Sequence, residues 1–148
     1  MVCAFTGHRA MKWPIDGELF ERSLVNLIEN FEIYTFLDGM AMGFDLFAAR
    51  KVIELKKKYR IELVACIPYG DQISSMKGDD RQLYEYVLEN CDDVRIISAE
   101  YYPGCLYARN RYMVDNADCV FGYYHGGKGG TRYTLDYAER CEKKMIII

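Results

Sequence analysis

The chain holds only two histidines, His8 and His125, so a histidine-built metal centre is excluded. Its six cysteines stand at 3, 66, 91, 105, 119 and 141, and none forms a Cys-x-x-Cys. Cys66 and Cys119 lie inside apolar runs, and most of the set reads as small hydrophobes in a reducing compartment. No apolar run approaches the length of a membrane span, and a membrane is not expected as a partner. The opening residues lack the basic and apolar segments of a secretion signal, so the cytoplasm is the expected address. Positive charge is not in excess either. Lys and Arg number 19 against 22 Asp and Glu, a formal net charge of −3. That balance argues against nucleic acid as a main partner.

What is present is an ordinary core-forming composition in 148 residues, 51% hydrophobic and 28% charged, enough for one domain spanning 1–148. The strongest local signal is His125-Gly126-Gly127-Lys128-Gly129-Gly130-Thr131. It follows the apolar run Cys119–Gly122 and precedes a helical pattern from Thr131 to Cys141. Its glycines weaken regular structure and leave backbone N–H groups uncovered. A glycine turn feeding a helix N-terminus suits phosphate, because first-turn N–H groups lack partners and the dipole favours an anion. The turn is not a Walker A loop, since Lys128 is followed by glycine, and ATP hydrolysis is not expected. Thr131 has two competing uses for one hydroxyl, capping the helix or binding phosphate.

Upstream, apolar and helical periods alternate. Strands are predicted over 2–6, 32–37, 62–67, 94–97, 119–122 and 144–148, the last apolar enough to be fully buried. Helices are predicted over about 17–30, from Asp45 to about 59, 79–90, 106–116 and 131–141. Asp16 suits an N-cap of the first helix. Five strand–helix units closed by a strand predict an α/β chain. It is a Rossmann-like, doubly wound, mostly parallel six-stranded sheet with helices on both faces, in the order 3-2-1-4-5-6.

Parallel strands place their C-terminal ends on one edge. Gly7-His8-Arg9, Gly39 to Asp45, Pro68-Tyr69-Gly70, the loop after Ile97 and the Gly126–Thr131 turn therefore meet there. Arg109-Asn110-Arg111 lies at the start of the fourth helix. Arg109 and Arg111 are two apart and face different ways, and Arg109 is preferred for a ligand phosphate. Asn110 suits a sugar hydroxyl or a base edge, and Arg9 a second phosphate. Gly7 clears room for a ligand, while Gly39 and Gly43 suit a tight loop and a close helix start. Asp45 reads equally as a first-turn carboxylate or as a partner for ribose hydroxyls, with Asp38 a weaker version of it. His8 is a candidate acid or base because its ordinary pKa lies near neutrality. Thirteen tyrosines, several paired, sit beside these loops and suit packing, a dimer contact or stacking on a base. Trp13 reads as a stacking platform or as packing for the loop over the site.

These motifs together resemble the SLOG superfamily, the Rossmann-like group that includes the LOG and DprA proteins. They are most similar to its small YpsA-like bacterial and phage members. The resemblance rests on Phe5-Thr6-Gly7-His8-Arg9, Gly39 to Asp45, Arg109-Asn110-Arg111, Ala117-Asp118 and Gly129-Gly130-Thr131 leading to Ala138. It implies a site for a nucleoside monophosphate or an ADP-ribose-like molecule, with no cofactor required. It also implies that a homodimer is in keeping with relatives. In the LOG branch the activity is that of a phosphoribohydrolase, cleaving the N-glycosidic bond of nucleoside 5′-monophosphates. That branch relies on an arginine, which falls on Arg109, and on a glutamate, whose place falls on Thr134. Threonine carries no carboxylate for that chemistry, and the candidates left for catalysis are Arg109, Asp45 and His8. The DprA branch implies single-stranded nucleic acid, with Arg9, Lys12, Arg109, Arg111, Lys128 and Arg132 as a local basic set. The expectation is a binding module, possible sensory or regulatory use included, with the hydrolase and the nucleic-acid binder as alternatives.

Overall fold

A computed structural model describes residues 1–148. Six strands form one parallel sheet: β1 Val2–Gly7, β2 Thr35–Asp38, β3 Glu62–Ile67, β4 Asp93–Ile96, β5 Cys119–Tyr123 and β6 Lys144–Ile147. Five helices connect them: α1 Gly17–Phe31, α2 Phe44–Leu55, α3 Gly78–Asn90, α4 Cys105–Asp115 and α5 Gly130–Arg140. The α/β, Rossmann-like class with helices on both faces is as the alternating pattern predicts.

Alternate strand residues face opposite sides of a sheet, so each strand feeds two cores. Cys3, Phe5, Phe36, Leu63, Ala65, Cys119 and Phe121 join α1, α2 and α3 in a core of 26 buried residues. Ala4, Leu37, Val64, Cys66 and Val120 face the other way, onto α4 and α5, in a core of 10. Asp16 caps α1 as predicted, its Oδ1 accepting from the N–H groups of Glu18 at 3.0 Å and Leu19 at 3.1 Å. All six cysteines are free thiols. No helix is long and apolar enough to cross a membrane.

The strand order is β4-β3-β2-β1-β5-β6, not 3-2-1-4-5-6. The difference concerns β4, predicted beside β1 and found at the outer edge beside β3. Helix α3 packs against the same face as α2, so the chain keeps winding outward and β4 lands beyond β3. Helix α4 is the connection that crosses to the other face and returns the chain to the centre, where β5 pairs with β1. β4 is mostly exposed and carries Asp93 and Arg95, which suits an edge.

Two boundaries also differ from the sequence reading. Glu32 adopts φ 54° and closes α1 with its N–H on the Leu27 carbonyl, so β2 starts only at Thr35. α2 ends at Leu55, before the expected 59. The sixth strand is not fully buried, because it pairs on one side only and leaves Ile147 51% exposed.

Candidate functional site

With β5 beside β1, the winding direction reverses between these two strands, and a cleft of about 390 Å³ opens over their C-terminal ends. Its walls come from the end of β1, the start of α2, the first turns of α4 and the turn into α5. Gly7, His8, Arg9, Asp45, Arg109, Asn110, Gly127, Gly129, Gly130 and Thr131 all line it. Gly39, Gly43 and Gly126 do not.

Gly39 and Gly43 act beneath the cleft. A Cβ on Gly43 would stand 2.3 Å from the Arg9 carbonyl oxygen and 2.7 Å from that of His8. The His8 carbonyl also accepts the Phe44 N–H at 3.2 Å, so the loop after β1 lies directly on the start of α2. Gly7 is required for packing as well as for clearance, because a Cβ there would meet the Phe44 ring at 2.4 Å.

Gly39 leaves room for the charged floor of the site. A Cβ on it would meet the Arg109 guanidinium at 2.8 Å and Asp45 Oδ2 at 2.9 Å. Arg109 is 3% exposed. Its Nη1 donates to the carbonyls of Gly39 and of Cys66, and its Nε to Asn110 Oδ1 at 2.7 Å. Only Nη2 has no partner within the protein. Arg109 thus ties α4 to the ends of β2 and β3, and what it offers a ligand is one edge of its fork. Arg111 points elsewhere, to the Tyr133 hydroxyl at 2.7 Å.

Beside Arg109 lie two buried carboxyl groups. Asp38 Oδ1 accepts the Met40 N–H at 2.9 Å, and Asp45 Oδ2 accepts the Ala41 N–H at 3.3 Å. Asp38 Oδ2 and Asp45 Oδ1 have no partner. Burial pushes Asp45 up to about 6, against the pull of Arg109, the Ala41 N–H and Arg9. Burial and the neighbouring Asp45 hold Asp38 well above the usual carboxylate range. Asp38 therefore belongs to the electrostatic floor more fully than its sequence position implied.

The Asp45 shift has a sign. A carboxyl with a raised folded pKa contributes stability in full below its ordinary value of 3.8 and loses it as pH rises through about 6. Relative to Asp45→Asn, the wild-type chain should therefore gain on the order of 2 kcal/mol of unfolding free energy between pH 7.5 and pH 4. Urea unfolding at several pH values reads this difference. A pH-independent difference would mean that Asp45 pays no burial cost.

The turn into α5 behaves as an open helix start. Gly126, Gly127 and Gly129 have φ of 107°, 93° and 144°, and no side chain caps the helix. Thr131 is inside the first turn rather than at the cap, so its hydroxyl is not used for capping. Asn110 Nδ2 lies 3.8 Å from where a Gly130 Cβ would stand, which brings α4 onto the same helix start. Lys128 and Arg132 also line the cleft. Thr134, at the place of the LOG glutamate, is buried and donates its hydroxyl to the Gly130 carbonyl at 2.7 Å.

His8 closes the other side. Its Nε2 accepts the His125 N–H at 2.9 Å, and its ring stacks on Tyr124 at 5.4 Å. Burial, then the charges of His125 and Lys12, lower its pKa. Trp13 stacks on His125 at 4.6 Å and does not line the cleft. Tyr107 does line it, against Tyr133. Leu106, also in the wall, carries no signal in the sequence that would have singled it out. No group of three or more His, Cys, Asp or Glu side chains is gathered to hold a metal.

Comparison with known proteins agrees with this architecture. The YspA SLOG family matches residues 4–147. The SPbeta prophage-derived protein YoqJ of Bacillus subtilis is 29% identical over 146 residues, covering 88% of this chain and 85% of the relative. UPF0398 protein BH1768 of Halalkalibacterium halodurans is 31% identical over 129 residues, covering 84% and 68%. Among solved structures, DNA processing protein A of Helicobacter pylori, described for its single-stranded DNA binding mode, superposes with a TM-score of 0.68 at 19% identity. That superposition covers 99% of this chain and 64% of that one. DprA of Streptococcus pneumoniae superposes with 0.67 at 18%, covering 98% and 49%. The two DprA likenesses show a shared fold, and this chain spans about half to two thirds of their length. With nearly every residue matched and the motif-bearing loops gathered on one sheet edge, the chain belongs to the YspA SLOG family.

Proposed function

We propose that the cleft binds a phosphorylated nucleoside, a nucleoside monophosphate or an ADP-ribose-like molecule. The observation that carries this reading is one cleft lined both by an uncapped helix start and by Asp45, a buried carboxyl group with one oxygen that has no partner in the protein. The first takes an anion and the second takes a hydroxyl donor, which are the two ends of a sugar phosphate. In this reading the N–H groups of Gly130 and Thr131 hold phosphate, with Lys128 and Arg132 adding charge. Asp45 Oδ1 and Asn110 Nδ2 meet the sugar, and Arg109 supports both from below.

The test is binding of AMP, ADP-ribose and adenosine, followed by thermal shift, with free base measured afterwards. AMP and ADP-ribose should raise the melting temperature and adenosine should do so far less. Lys128→Ala should weaken AMP roughly three- to tenfold and leave adenosine unchanged. Equal loss for both would remove the phosphate from the α5 end. Release of base would move the reading to the phosphoribohydrolase, with Asp45 as the base to examine, because Thr134 supplies no carboxylate and its hydroxyl is tied to Gly130.

Single-stranded nucleic acid is a second reading. The likeness to the single-stranded-DNA-binding DprA of Helicobacter pylori favours it, as do exposed Arg9, Lys128 and Arg132 at the cleft despite the acidic balance of the whole chain. An oligonucleotide that outcompetes AMP by a wide margin would select it.

A further inference from the structure

Beside the cleft lies a smaller cavity of about 110 Å³ with a different chemistry. The two share Arg9, Ala41 and Leu106 as walls, so they adjoin. Six of the nine residues lining the smaller one are hydrophobic, against four of seventeen in the cleft, so the lining turns from polar to apolar across that boundary. Its walls come from the loop after β3, which brings Tyr69 and Met76, from Met42 before α2, and from Tyr101 ahead of α4. Tyr69 and Tyr101 meet edge to face with ring centres 5.3 Å apart. Tyr101 is 61% exposed, so its ring is open to a ligand.

Two polar groups mark the far side. Gln72 is buried and held on both ends of its amide, accepting the Tyr84 hydroxyl at 2.9 Å and donating to the Gly39 carbonyl at 3.4 Å. One Nε2 hydrogen remains. The Ser75 hydroxyl donates to the Gln72 carbonyl at 2.7 Å, which leaves its oxygen free to accept. A small cavity with apolar walls, a tyrosine ring and one donor and one acceptor matches a nucleobase, which is flat, stacks, and carries donors and acceptors on its edge.

We infer that this cavity, between Arg9 and the Tyr69–Tyr101 pair, is the base subsite of the ligand whose phosphate and sugar occupy the cleft. The inference rests on the sugar-phosphate reading above. It adds that the ligand runs across the sheet edge, from α5 over β5 and β1 toward the loops of β3 and β4, and that the chain distinguishes a nucleotide from a bare sugar phosphate.

Calorimetry with AMP and with ribose 5-phosphate tests it on the wild-type chain, on Tyr101→Ala and on Ser75→Phe. Both substitutions are at exposed positions, and the second fills the cavity. The wild type should bind AMP about tenfold or more tighter than ribose 5-phosphate, the contribution of one stacked base. Both variants should lose most of that preference and keep the affinity for ribose 5-phosphate. Equal affinity of the wild type for the two probes overturns the base subsite and leaves the sugar-phosphate reading standing. So does loss in the variants that falls equally on both probes, or no loss at all. Binding of neither probe overturns both readings.

Discussion

Replacing Arg109 with alanine is expected to cost about 3–5 kcal/mol of folding stability, the usual penalty for breaking a buried charged network by removing one partner. At roughly 2–4 °C per kcal/mol for a chain of this size, the melting temperature should fall by about 6–20 °C. The reason is the company Arg109 keeps. Its guanidinium satisfies the Gly39 and Cys66 carbonyls and Asn110, and it is the positive charge set against the two buried carboxyls, Asp38 and Asp45. Alanine removes the guanidinium from the Cys66 carbonyl and Asn110, leaves the Gly39 carbonyl with the Gln72 amide alone, and leaves the carboxyls with only the weaker pull of Arg9. Arg109→Lys keeps the charge and loses the fork, so it should recover only part of the loss. Asp45→Asn in the Arg109→Ala background should recover a further part, since it removes a charge the cavity no longer balances. Thermal and urea unfolding of the four chains read the pattern. An Arg109→Ala chain within about 1 kcal/mol of wild type would overturn the network. The donors on Nε and Nη1 are used inside the protein, which leaves Nη2 for the ligand phosphate that the sequence reading gives Arg109.

Gly43→Ala is expected to be nearly as damaging, at roughly 3–5 kcal/mol. Gly43 sits at φ 80°, and a methyl group would press into the backbone carbonyls of Arg9 and His8. Backbone cannot step aside as a side chain does, so the loop carrying His8 and Arg9 must lift off α2. The control is Gly127→Ala. Gly127 has φ 93° with nothing within 4 Å of a Cβ, so it incurs the strain of a left-handed backbone without the collision. That variant should cost about 1–2 kcal/mol. Equal costs for the two variants would mean that the β1 loop does not rest on α2. Unequal costs, with AMP affinity lost at Gly43 before the chain unfolds, would tie the placement of Arg9 to this one contact.

The elements were legible because each strand and helix advertises its own period. Their lateral order was not. Nothing in Val94 to Ile97 distinguishes a strand beside β1 from one beside β3; the decision lies in which face α3 and α4 take. The same limit applies to the site. The glycine turn and Gly7-His8-Arg9 carry local signals and line the cleft. Asp38 was ranked below Asp45 because its surroundings come from β2, α2 and α4 together, and no short window contains them. Gly39 and Gly43 suit a tight loop and a close helix start, and what comes close to them is the chain's own Arg109, Asp45 and β1 loop. The subsite at Tyr69 and Tyr101 joins residues that the sequence offers only as two separate loops on the same edge.

The pairing of β1 with β5 also has a kinetic meaning. Val2 and Asp118 are 116 positions apart, yet the Asp118 carboxylate accepts the Val2 N–H at 2.8 Å where these strands begin. β1 finds β2 early, across a single helix, whereas β5 must close nearly the whole chain as a loop before any contact rewards it. The cleft lies over that seam. Loop closure therefore predicts that it assembles late in folding, after the outward-winding part from β1 to β4. A chain folded only through that part lacks Cys119, Phe121 and Tyr123 from its large core and has no binding site.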